Sequence, residues 1–126
     1  MSRKVIICID FDGTLVEHDF PNIGKPMPLA FETLRAMKRE GYLLILYTCR
    51  EDDCGKRKYL TEAVEFCRAH GVEFDGVNAT PIEHDFREKG SRRKPYANLY
   101  IDDCSYGGLP SWGEIADMLH IPLEAA

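Results

Sequence analysis

The run Val5-Ile6-Ile7-Cys8-Ile9 is apolar without alternation, and two carboxylates follow at once in Asp10-Phe11-Asp12-Gly13-Thr14. A short apolar run with no polar alternation reads as a strand covered on both faces, as in a parallel sheet. In extended backbone Asp10 and Asp12 project to one side and Phe11 to the other. Two carboxylates held this close repel each other, so a cation, a shared proton or a chemical task is expected to compensate. Gly13 supplies a turn that a residue with a Cβ resists.

Further strands alternate with amphipathic helices. Pro28 suits the first turn of a helix reaching about Glu40, with Ala30, Leu34 and Met37 on one face and Gly41 as its stop. Tyr42–Tyr47 reads as a second buried strand. A helix from about Arg57 to His70 follows, carrying Leu60, Ala63, Val64 and Cys67 at helical spacing. Gly76–Asn78 is a weak third strand and Asn98–Ile101 a fourth. Ser111 and Glu114 form a capping box ahead of Trp112, Ile115, Ala116 and Leu119. This order implies an α/β fold, a three-layer α/β/α Rossmann-like domain with a mostly parallel sheet. The 126 residues are expected to form a single domain, 1–126.

Composition narrows the class. The chain is 44% hydrophobic and 29% charged, the balance of a soluble globular protein, and no apolar run reaches spanning length. No membrane association is therefore expected. The net charge of −5 argues against a broad nucleic-acid surface. Five scattered cysteines suggest a reduced, cytoplasmic setting.

In parallel α/β sheets the site lies beyond the carboxyl ends of the strands. That rule gathers Asp10, Asp12, Thr48 and one or both of Asp102 and Asp103. Three or four carboxylates in one pocket demand a divalent cation, and an all-oxygen donor set favours Mg²⁺ over zinc. Such a site invites a phosphate. Phosphoryl transfer needs an in-line nucleophile, an acid for the leaving oxygen, and donors for the equatorial oxygens. Asp10 and Asp12 suit the first two tasks. Thr48 offers a donor and Lys94 a positive charge.

Asp10-Phe11-Asp12-Gly13-Thr14-Leu15 resembles the first signature of the haloacid dehalogenase superfamily of phosphohydrolases. Leu46-Tyr47-Thr48, Lys94 within Arg93-Lys94-Pro95, and Tyr100-Ile101-Asp102-Asp103 resemble the second, third and fourth, in family order. The resemblance implies a Mg²⁺-dependent phosphomonoester hydrolase. Asp10 would form an aspartyl-phosphate, and Asp12 would protonate the leaving group and then activate water. It implies a metal held by the Asp10 side chain, the Asp12 carbonyl and the acidic pair, with Asp103 favoured as ligand and Asp102 in support. Thr48, Lys94, Cys49 and Gly13 would surround the phosphoryl group.

Val16–Met27 and Gly71–Arg93 are too short for a cap domain, so the resemblance implies a capless member. Capless members tend to act on large substrates with an exposed phosphate or to borrow a lid from another subunit of a homo-oligomer. The partner expected is a phosphorylated substrate, small or macromolecular. The charged stretch Ala79–Pro95 is expected to shade the pocket. Arg50 and Arg93 are possible substrate contacts, although for Arg50 a surface ion pair with Glu51, Asp52 or Asp53 has equal standing. His18, His70, His84 and His120 show no paired pattern. Two other activities would use the same residues: phosphotransfer to another acceptor, as in a mutase, and a phospho-aspartate receiver module.

Overall fold

The computed structural model describes residues 5–52, 55–79, 95–104 and 107–123. Strands β1 (Ile6–Asp10), β2 (Leu43–Tyr47), β3 (Gly76–Val77) and β4 (Leu99–Ile101) form one sheet in the order β3-β2-β1-β4. All three pairings are parallel, with Asp10 in register with Tyr47 and Ile9 with Ile101. The α/β, Rossmann-like arrangement read from the alternation of strands and helices is therefore the one observed. The strand order also locates the switch point. From β1 the chain steps to β2 on one side, whereas β4 joins β1 on the other, so a crevice opens beyond the ends of β1 and β4.

β1 and β2 are buried on both faces. Ile7, Ile9, Leu44 and Leu46 join the main core with side chains from all three helices: α1 (Ala30–Arg39), α2 (Tyr59–Ala69) and α3 (Trp112–Met118). Phe31 and Leu34 come from α1, Ala63 and Cys67 from α2, Trp112 and Ile115 from α3. The opposite face carries a smaller cluster of Ile6, Cys8, Ile45 and Ala97. The expected third layer concerns the connection between β3 and β4, of which residues 80–94 lie outside the described set.

Two helix starts fall later than the sequence spacing predicts. α1 begins at Ala30 rather than Pro28, because Leu29 takes a left-handed φ of 64°. Its carbonyl accepts from both the amide and the hydroxyl of Thr33 (3.0 and 2.7 Å). α2 begins at Tyr59 rather than Arg57, because Arg57 turns back to pair with Glu62 at 2.6 Å. Asp52 caps this helix from outside it, accepting from Thr61 N at 2.9 Å and Thr61 Oγ1 at 2.5 Å. Ser111 caps α3 as expected, its Oγ accepting from Glu114 N, while the Glu114 carboxylate accepts from the Ser111 hydroxyl.

One core contact ties α3 to the loop after β1. Trp112 is buried, and its indole Nε1 donates to the Thr14 carbonyl at 2.9 Å. Replacing Trp112 by Phe keeps most of the apolar volume but leaves that buried carbonyl without its donor. The expected loss is about 1–3 kcal/mol of stability, measured by urea denaturation followed by circular dichroism.

Candidate functional site

Immediately after β1 the chain folds back on itself. Phe11 is fully buried, and its carbonyl accepts from Leu15 N at 2.9 Å and Thr14 N at 3.2 Å. Gly13 sits at φ 85°, and a Cβ there would fall on the His18 ring and the Asp103 carboxylate. Both the conformation and the space demand glycine. Its N–H donates to Val16 O at 2.8 Å, so Gly13 shapes the turn. Residues 17–25 then form a short flap, closed by Glu17 N donating to Lys25 O at 2.8 Å.

Thr14 joins the two halves of the site. It is fully buried, its hydroxyl donates to Asp10 Oδ2 at 3.0 Å, and its own Oγ1 accepts from Asp103 N at 3.1 Å. The end of β1 and the acidic pair after β4 are thereby brought together. Asp102 Oδ1 accepts from Cys104 N at 2.9 Å, a turn-capping geometry.

The electrostatics show what this proximity costs. The Asp10 carboxyl is pushed up from 3.8 to about 7, first by burial and next by the charge of Asp102, with Asp103 adding to it. Burial also opposes charge on Asp103, but hydrogen bonds, chiefly from His18, hold its carboxyl below the usual range. His18 Nε2 lies 2.8 Å from Asp103 Oδ2. Asp102, Asp103 and Cys104 present ligand atoms within 4.8 Å of one another. The neighbouring charges of Asp103 and Asp102 push the Cys104 thiol up, which disfavours the thiolate that a soft metal would need. The donor set that remains is hard oxygen, as Mg²⁺ requires.

Thr48, directly after β2, is buried. Its amide donates to Asn78 Oδ1 at 2.9 Å, and its Oγ1 accepts from Arg50 N at 3.2 Å. Asn78 is set in turn by donating its own N–H to Leu46 O at 2.7 Å. Cys49 is exposed beside Thr48. Lys94 and Arg93 lie outside the described residues, as does most of the Ala79–Pro95 stretch.

Arg50 differs most from its expected setting. It is turned away from solvent and paired with Asp12. Its side chain is 1% exposed and grips Asp12 in a fork, Nε to Oδ2 at 2.9 Å and NH2 to Oδ1 at 2.8 Å. NH2 also donates to Asn22 O at 2.8 Å, and the guanidinium lies 5.2 Å from the Phe11 ring centre and 5.0 Å from that of Phe20. Asp52, one of the three acidic partners expected for Arg50, is engaged in capping α2.

Sequence reading missed Thr14, His18, Asn78 and this use of Arg50. Thr14 stood within the first motif, but its bridging hydroxyl depends on the meeting of β1 and β4. The other contacts join residues at least 30 positions apart, with no local spacing to betray them.

No family model matches the chain. Among characterised proteins it is 31% identical over 114 residues to the D-glycero-beta-D-manno-heptose-1,7-bisphosphate 7-phosphatase of Vibrio cholerae serotype O1. That match covers 80% of this chain and 59% of the relative, so the chain spans less than two thirds of the relative's length. Among solved structures, a conserved protein from Bacteroides thetaiotaomicron superposes with a TM-score of 0.77 at 42% identity, covering 94% of this chain and 91% of that one. Together with the ordered motifs and the parallel sheet that carries them, these similarities place the chain in the haloacid dehalogenase superfamily.

Proposed function

We propose that the protein is a Mg²⁺-dependent phosphomonoester hydrolase working through an aspartyl-phosphate on Asp10. The observation that carries this reading is the Thr14 bridge, which holds Asp10 against the Asp102–Asp103 pair at the switch point of the sheet. A phosphatase among its relatives supports the reaction class. By the same likeness, the substrate class is a phosphorylated small molecule.

The reaction follows from the residues. An Asp10 oxygen attacks phosphorus in line. The bond from phosphorus to the leaving oxygen breaks, and that oxygen keeps the electron pair and takes a proton from Asp12. Asp12, now a carboxylate, takes a proton from the water that attacks phospho-Asp10, which releases phosphate and restores Asp10. Thr48 donates its hydroxyl to a phosphoryl oxygen, with the Arg50 amide orienting it from behind. Lys94 is assigned the balancing positive charge. Asp10, the Asp12 carbonyl and Asp103, supported by Asp102, would hold Mg²⁺, which when bound supplies charge neutralisation for the phosphoryl oxygens.

Replacing Asp10 by Asn is expected to lower turnover of a phosphate ester by at least about a thousandfold while the fold survives. Steady-state rates beside a circular dichroism spectrum check this. A folded variant that hydrolyses at an appreciable fraction of the wild-type rate removes Asp10 as nucleophile.

The raised Asp10 pKa carries a stability prediction. Between the unfolded value of 3.8 and the folded value of about 7, the folded state binds the extra proton, so stability falls as pH rises through this window. Without divalent cation, Asp10→Asn should therefore melt above the wild type, by a wider margin at pH 8 than at pH 5. Adding Mg²⁺ at pH 8 should narrow the gap by stabilising the wild type. Thermal melts at both pH values, with Mg²⁺ and with chelator, provide the test.

A further inference from the structure

We infer that Arg50 is the positioning residue for Asp12, and that its fork sets the carboxylate in the orientation needed to protonate the leaving oxygen. The inference rests on the acid role proposed for Asp12.

The geometry is specific. A carboxylate offers about four lone-pair sites on its two oxygens, and a guanidinium fork engages one on each. Arg50 does so through Nε and NH2, which fixes the plane of the Asp12 carboxylate. The Asp12 side chain remains 18% exposed, so the fork leaves part of the carboxylate accessible.

Arg50 is itself held on every side. Phe11 lies against one part of the guanidinium and Phe20 against another, NH2 reaches Asn22 O, and its own amide donates to Thr48 Oγ1. Among the described residues no buried side-chain nitrogen or oxygen lacks a partner, so the fork is a satisfied network. A second arginine secures the same part of the flap. Arg57 donates to Pro21 O at 3.4 Å and lies over Tyr59, whose ring centre is 5.3 Å from that of Phe20. The flap tip, Arg50 and Asp12 therefore form one packed unit. A lysine could keep the charge but could not reproduce the planar fork.

The consequence is selective. When the P–O bond breaks, a poor leaving group needs the Asp12 proton and a good one does not. Misplacing Asp12 should therefore penalise alkyl esters and largely spare activated aryl esters. A merely structural loss would lower both alike. The quantity to compare is kcat/KM, which covers the steps through loss of the leaving group and omits later hydrolysis of phospho-Asp10.

The experiment compares benzyl phosphate with p-nitrophenyl phosphate in the wild type, Asp12→Asn, Arg50→Lys and Arg50→Met. For Asp12→Asn, a benzyl-phosphate loss of about 100-fold or more with less than about 10-fold on the aryl ester confirms the underlying acid role. The Arg50 variants are expected to show the same imbalance. If Asp12→Asn is selective and the folded Arg50 variants lose both substrates equally, or neither, the positioning role is overturned while the acid role stands. If Asp12→Asn itself is unselective, the acid role fails first. Should Arg50→Met not fold, Arg50→Lys decides alone.

Discussion

The site depends on the repulsion among Asp10, Asp102 and Asp103, gathered where β1 and β4 end. A parallel sheet with a switch point brings these chain segments together, and burial of Asp10, ahead of the charges of Asp102 and Asp103, disfavours its charged form. The result is an Asp10 carboxyl pushed up to about 7. Thr14 makes the arrangement possible by donating to Asp10 and accepting from the Asp103 amide. Trp112 in turn fixes the backbone of Thr14 from the core side. In the proposed reading a divalent cation relieves this repulsion, and an anionic phosphoryl group completes the site.

A second organising element is the buried cation on the other side of Asp12. Arg50 is shielded by Phe11 and Phe20 and joins the flap to the end of β2. The two carboxylates of the opening motif thus meet opposite surroundings. Asp10 faces other acids, whereas Asp12 faces a guanidinium.

Much of the framework was legible because it follows from short-range patterns. Unbroken apolar runs marked β1 and β2, helical spacing marked α2, and Ser111 with Glu114 marked the start of α3. The placement of Asp10, Asp12, Thr48 and the acidic pair followed from the rule that sites lie beyond strand ends. The helix starts were less legible. Leu29 adopts a left-handed conformation that its identity does not favour, and Arg57 gains more from Glu62 and the flap than from continuing α2. Within the site, the contacts invisible in the sequence were those formed between distant segments. Arg50 looked like a surface residue because acidic neighbours follow it, yet the fold turns it inward to Asp12 and leaves Asp52 to cap a helix. His18 reaches Asp103 across 85 positions.

The central claim is that Asp10 carries the phosphoryl group during turnover. Its most direct test is acid quenching of the protein in the steady state with p-nitrophenyl phosphate and Mg²⁺, followed by peptide mapping by mass spectrometry. The account predicts a hydroxylamine-labile phosphoryl group on the peptide containing Asp10, at that residue. Turnover that proceeds with Asp10 unmodified, or with the phosphoryl group on another residue, would contradict it.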